Sequence, residues 1–175
     1  DLKKMHDVDY NGTRNVLESA RRAGVGHVVA VSSTFAYGAH PDNPLPLNED
    51  DPLRGNERFP YGYNKRVVDL MMQEYAEKHP DLPLTILRPC TVFGPTINNY
   101  VSRLVFRKVT INFPDTNPDF QFVHEDDFVG ACLAALDKKV PGAFNIAGDG
   151  TLTIREIAAK VGAKAVTIPA WLIYP

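Results

Sequence analysis

Short apolar runs alternate with stretches of helical period along most of this chain, and that alternation constrains its fold more than any other feature. HVVAVSS (27–33), PLTILRP (83–89) and AFNIA (143–147) read as buried strands, and QFVH (121–124) as a shorter one. Between them, residues 2–23 carry Leu2, Met5, Val8, Val16, Leu17 and Ala20 at helical spacing, with Arg21 and Arg22 in the last turn and Gly24 as a stop. From Pro60 to about Lys78, the residues Val67, Val68, Met71, Met72 and Tyr75 mark one stripe of a second helix. The sequence predicts further helices near 98–107, over EDDFVGACLAAL with an acidic cap, and over TIREIAAKVG, which the T-x-x-E capping box of Thr153 and Glu156 opens. Strands alternating with helices in this way predict an α/β fold, a doubly wound and mostly parallel sheet covered on both faces. Residues 38–58, GAHPDNPLPLNEDDPLRGNER, have no period and form a long surface loop, of the kind that serves as a lid.

With 175 residues and 44% hydrophobic content, the chain can bury one sizeable core, so a single domain is expected. A net charge of -2 offers no basic field, which argues against nucleic acid and anionic membrane as partners. The N-terminus lacks signal-peptide character and no apolar run approaches a membrane span, so a cytoplasmic location is expected. Cys90 and Cys132 sit in apolar stretches and read as buried thiols of a reducing compartment.

Ligands of open parallel sheets bind beyond the carboxyl ends of the strands. Three segments fall there: Ser32 and Ser33, the RPCTVFGP stretch, and PYGYNK at residues 60–65. Proline suits the first position of a helix, so Tyr61 and Lys65 lie one turn apart on one face. Composition alone predicts roughly 0.3 accidental Tyr-x-x-x-Lys matches, so the spacing needs the neighbouring segments to carry meaning. The chemistry it offers is specific: an ammonium beside the phenol stabilises the phenolate and makes Tyr61 an acid/base. His124 with Glu125, Asp126 and Asp127 opens a helix, where capping accounts for the acids, and no metal is expected. No G-x-S-x-G elbow surrounds Ser33, which argues against a hydrolase. Arg88 reads as a residue that closes its strand through buried hydrogen bonds.

VDYNGTRNVLESARRAGVGHVVAVSSTFAYG, PYGYNK, LRPCTVFGP, QFVHEDD and FNIAGDGTLTIREIA follow one another in an order and spacing that resemble the extended short-chain dehydrogenases/reductases of the NAD-dependent epimerase/dehydratase type. The resemblance implies a Rossmann-like domain, NAD or NADP as cofactor, a small-molecule substrate and a homodimer built on helices equivalent to 5–23 and 60–78. It implies Ser33, Tyr61 and Lys65 as catalytic residues, with Tyr61 and Lys65 also touching the cofactor. Pro89, Cys90 and Val92 would offer backbone groups to the carboxamide, and Ser33, Thr34 and Thr91 would meet substrate, with substrate segments at about 38–58, 95–118 and 148–175. Epimerisation and simple carbonyl reduction use the same three catalytic residues and stay open as alternatives. A non-catalytic nucleotide-binding relative would typically have lost the tyrosine or the lysine.

Departures from the family pattern carry their own expectations. Asp9 replaces the usual asparagine and brings a charge. Thr34 and Phe35 stand where dehydratases tend to carry Asp and Glu, which argues against elimination chemistry. Thr91 replaces an asparagine common in sugar-nucleotide enzymes. The chain has no G-x-x-G-x-x-G turn for a pyrophosphate, and GDGTLT at 148–153 fails as one because Thr153 serves as the helix cap. It therefore reads as a Rossmann-like sheet without its N-terminal glycine-rich βαβ unit, in a fragment or a processed product.

Overall fold

The computed structural model describes residues 2–98, 100–114 and 118–172. They divide into two compact units, the first formed by residues 1–90 and 128–146 and the second by 91–127 and 147–175. The second therefore contains most of the expected substrate segments 95–118 and 148–175, apart from residues 99, 115–117 and 173–175, which lie outside the described residues.

A parallel sheet of order β1-β2-β7 organises the first unit, built from β1 (Val28–Val31), β2 (Leu84–Pro89) and β7 (Gly142–Ile146). Every residue of the central β2 is buried. On one face pack α2 (Gly12–Arg22) and α3 (Pro60–Lys78), whose Leu17, Val68, Met71, Met72 and Tyr75 join Leu82, Leu84 and Ile86 in the main core. The expected stripe on α3 is thus the one that is buried, with Val67 at its half-buried margin. The helix predicted over 2–23 is present but interrupted: α1 (Leu2–His6) passes through a π-turn at Asp7–Asn11 before α2 begins. The extra residue per turn rotates the preceding face, and Val8 and Val16 are exposed while Leu17 is buried.

HVVAVSS differs from the buried strand expected of it. β1 pairs with β2 alone among the described strands, and Val31 at its end is 48% exposed. An apolar run reports on the faces of a strand, and carries no information about whether both of its edges are paired. α5 (Glu125–Lys138) likewise has no buried residue, and Val129, Leu133 and Leu136 are exposed along it. The thiols of Cys90 and Cys132 are half-buried, against the full burial expected, and neither forms a disulfide. No described helix is long and apolar enough to cross a membrane.

The second unit is built from two-stranded ladders. β3 (Thr91–Phe93) pairs in parallel with β6 (Phe122–His124), β4 (Val109–Asn112) in parallel with β9 (Lys164–Thr167), and β5 (Asp119–Phe120) antiparallel with β8 (Leu152–Thr153). The two short helices are α4 (Tyr100–Val105) and α6 (Ile154–Val161). α6 starts at the expected capping box, in which Thr153 accepts from the Glu156 N–H and the Glu156 carboxylate accepts from the Thr153 N–H. The expected acidic cap of α5 is replaced by another arrangement. His124 Nδ1 accepts the Asp126 N–H at 3.2 Å, while Glu125 accepts from the N–H and hydroxyl of Thr96, and those bonds hold its carboxyl below the usual range.

Candidate functional site

β1 ends at Val31, and the chain continues through Ser32 and Ser33 into a 3-10 turn at Thr34–Tyr37. Ser33 is the N-cap of that turn: its Oγ accepts from the Phe35 N–H at 3.2 Å. That bond occupies a lone pair and leaves the hydroxyl proton available to a further acceptor. Ser33 is 5% exposed and Thr34 half-buried. Ser32, also buried, has an Oγ without a partner in the structure.

Pro60 opens α3 at its first position, as PYGYNK predicts, and puts Tyr61 and Lys65 one turn apart. The Lys65 Nζ lies 5.9 Å from the centroid of the Tyr61 ring and donates to the Val31 carbonyl at 3.4 Å, which ties α3 to the end of β1. Tyr61 is 45% exposed, and its ring touches those of Phe35 and Phe59. Gly62 makes this approach feasible, because a Cβ there would stand 2.9 Å from the Phe35 carbonyl oxygen and 3.0 Å from the Phe59 ring. The first unit therefore carries Ser33, Thr34, Tyr61 and Lys65 around the end of β1, with the turn at 34–37 packed on α3.

Asn64, 4% exposed, donates to the Asp9 carboxylate on the π-turn. A carboxylate oxygen accepts, so Asp9 suits the amide donor that faces it. Pro89 ends β2 and is buried. The Cys90 N–H donates to the Ile146 carbonyl at 2.9 Å, so that amide is already engaged. Thr91 and Val92 belong to β3, in the second unit, and are half-buried. Among the described residues no three His, Cys, Asp or Glu side chains are grouped to hold a metal ion.

Beneath the turn lies a polar network whose members are scattered through the sequence. Arg88 on β2, 1% exposed, donates to both oxygens of Asp69 on α3 at 3.0 and 2.9 Å, to the Tyr37 hydroxyl at 2.8 Å and to the Glu49 carbonyl at 3.0 Å. Tyr37 in turn donates to Asn145 on β7 at 2.8 Å, and the Asn145 amide donates to the Leu47 carbonyl at 3.2 Å. Burial pushes the Tyr37 phenol above its ordinary value, against the pull of the Arg88 cation. Burial works against the charge on Arg88, and the Asp69 carboxylate outweighs it and raises the guanidinium above its usual range. The expectation that Arg88 closes its strand through buried hydrogen bonds holds, and the bonds do more, because they fasten the 38–58 loop to α3, β2 and β7. Asp69 and Asn145 carried no signal in the sequence, since neither belongs to a local pattern.

These residues stand beyond the carboxyl ends of a parallel α/β sheet, where ligands of such sheets bind. The chain belongs to the NAD-dependent epimerase/dehydratase family, whose family model matches residues 1–147. The low-salt glycan biosynthesis protein Agl12 of Haloferax volcanii is 38% identical over 157 residues, covering 86% of this chain and 49% of that protein. The 3-diazoavenalumate denitrifying reductase of a Streptomyces species is 31% identical over 144 residues, covering 79% of this chain and 46% of the relative. The dTDP-glucose 4,6-dehydratase DesIV of Streptomyces venezuelae, solved with NAD bound, superposes with a TM-score of 0.79 at 25% identity, covering 97% of this chain and 55% of that one. This chain thus spans about half the length of the relatives it matches.

Proposed function

We propose that the protein catalyses NAD- or NADP-dependent transfer of a hydride and a proton at a hydroxyl or carbonyl carbon of a small molecule, as an epimerase or reductase. The observation that carries this reading is the placement of Lys65 over the Tyr61 ring on the first turns of α3, tied to the end of β1 where Ser33 stands. Lys65 makes one long bond, to Val31, and retains N–H donors for ribose hydroxyls, so the residues present fit the nicotinamide and ribose half of the cofactor. When bound, that cofactor supplies or accepts the hydride.

The chain's own groups handle the oxygen. In the reducing direction Ser33 donates a hydrogen bond to the substrate carbonyl oxygen and Tyr61 delivers its phenolic proton there; in the oxidising direction Tyr61 removes that proton. Lys65 stabilises the phenolate in either case. Pro89, Cys90 and Val92 would approach the carboxamide, through carbonyl groups at Pro89 and Cys90, because proline lacks an N–H and the Cys90 N–H already serves β7. Thr34 and Thr91, with the 38–58, 95–118 and 148–175 segments, would contact substrate. A homodimer on the faces of residues 5–23 and 60–78 belongs to the same reading.

The direct test is fluorescence titration of the 175-residue chain with NADH and NADPH, beside Lys65→Ala and Tyr61→Phe. Saturable binding is expected, weakened at least about tenfold by Lys65→Ala, with Tyr61→Phe retaining binding while losing roughly 10²–10⁴ of any turnover. Equal binding in the Lys65→Ala variant overturns the assignment, and a folded chain that binds neither cofactor overturns the proposal that these 175 residues act by themselves.

A further inference from the structure

We infer that the substrate carries its reacting carbonyl or hydroxyl next to a flat apolar ring, and that Phe35 and Phe59 select for it. The inference rests on the reading of Tyr61 as the acid/base and narrows it to a substrate class. Phe35, Phe59 and Tyr61 form a closed triangle, with centroids 5.5, 5.8 and 6.0 Å apart and ring planes at 62°, 77° and 58°. These are the tilted, edge-toward-face arrangements that aromatic quadrupoles prefer. A core cluster would hide such rings, whereas these are 41%, 43% and 45% exposed. One exposed phenylalanine is ordinary, but three rings in mutual contact make a continuous apolar patch.

One end of the patch is the acid/base itself, and the backbone of the other end is tied to Ser33. Phe35 is held through its own N–H by the Ser33 Oγ, and Tyr61 is itself the third ring. A substrate oxygen that takes its proton from Tyr61 therefore has the Phe35 and Phe59 rings as neighbours of that phenol. The backbone is arranged to permit this: Gly62 leaves room for the Phe35 carbonyl and the Phe59 ring, and a Cβ at Gly55 would meet the Gly62 carbonyl oxygen at 2.6 Å. Neither phenylalanine offers a hydrogen bond, so a polyhydroxylated group placed against them would lose its water without a replacement partner. A flat ring loses little by desolvation and gains edge-to-face contacts, about tenfold in affinity for one such pair.

The test compares acetophenone with cyclohexyl methyl ketone, which are close in size and differ in the aromaticity of the ring. Affinity is read by saturation-transfer NMR on the 175-residue chain, and NADH- and NADPH-dependent reduction is followed in parallel. The expected result is a preference of about tenfold for acetophenone, which falls below about twofold in the Phe35→Leu, Phe59→Leu double variant and is retained in Phe59→Tyr. Rings that merely brace Tyr61 would instead lower binding and turnover of both ketones alike, which overturns the proposal, as does displacement of acetophenone by equimolar UDP-glucose. Ring preference in binding without turnover of either ketone would uphold the substrate class and overturn the reaction. Turnover that requires Tyr61 but ignores the ring would do the reverse.

Discussion

Arg88 and Val31 lie at the same end of neighbouring strands, Val31 in register with Leu87, yet Arg88 is 1% exposed and Val31 48%. The charged residue is the buried one. On the β2 and β7 side, the loop after the 3-10 turn folds over the strand ends, and the bonds that Arg88 donates to Tyr37, Glu49 and Asp69 replace its lost water, with Tyr37 held in turn by Asn145. On the β1 side, α2 covers one face and the strand edge has no ladder partner among the described residues. There Val8, Val16 and Val31 line a groove of about 470 Å³ that also reaches Asp9 and Lys65. Burial in this unit follows from what closes over a strand, and hydrophobicity of the residue decides less. Tyr61 and Ser33 sit between the flanks, supported by the closed one through the 3-10 turn and reached from the open one through Lys65.

The sharpest way to break the closed flank is Arg88→Met. Removing the guanidinium leaves the Asp69 carboxylate, 0% exposed, without its cation, and losing one partner of such a pair costs about 3–5 kcal/mol. Denaturant unfolding should show that loss. Adding Asp69→Leu should recover most of it, since a well-packed apolar pair can match a buried ion pair. A loss below about 1 kcal/mol for the single variant would mean that water reaches Asp69 and the flank is open there too.

Two glycines sharpen the contrast at the helix starts. Gly62→Ala forces a Cβ against the Phe35 carbonyl oxygen and the Phe59 ring and should cost about 1–3 kcal/mol. Gly12→Ala, at the start of α2, meets nothing within 4 Å and should stabilise by about 0.5–1 kcal/mol through its helix propensity. Opposite signs in thermal unfolding are expected. Equal effects would show that the two flanks are packed alike.

The residues that proved legible in the sequence are those whose partners are local. Pro60, Tyr61 and Lys65 lie within two turns, and the Thr153 to Glu156 box closes within four residues, so spacing alone predicts both. Arg88 reaches Asp69 and Tyr37 across 19 and 51 positions, and Tyr37 reaches Asn145 across 108, which no periodicity reports. The π-turn at Asp7–Asn11 escapes the pattern because Leu2, Met5 and Val8 fit an unbroken helix equally well. The exposure of Val31 escapes it because an edge is a property of the sheet and not of the strand. The ladders β4–β9 and β5–β8 are short pairings between distant segments, and strands of two to four residues leave too little alternation to detect.

A smaller effect separates the flanks by pH. Because burial raises the folded pKa of Tyr37 above its ordinary value near 10, the folded state keeps a proton that the unfolded chain gives up. Stability from this group is complete below about pH 10 and falls as the pH rises from there toward the folded value. Tyr75, in the main core, is shifted the same way by burial, so Tyr37→Phe should reduce the alkaline loss without abolishing it. The comparison is the slope of unfolding free energy between pH 9 and 11 in the two proteins, and an unchanged slope would mean that Tyr37 ionises as freely folded as unfolded.

The smallest change in stability belongs to the open flank. Val16 is 63% exposed on α2 beside the β1 edge, so Val16→Lys should alter the unfolding free energy by no more than about 0.5 kcal/mol. Its consequence lies in association. An unpaired parallel edge beside an apolar groove is a template for another strand, and a charge beside it is how natural sheets discourage that pairing. Sedimentation velocity should show less self-association for the variant than for the unaltered chain at the same concentration. A variant that associates as strongly as the parent would place the sticky surface elsewhere, and the exposed Val129, Leu133 and Leu136 on α5 would be the next to receive a lysine.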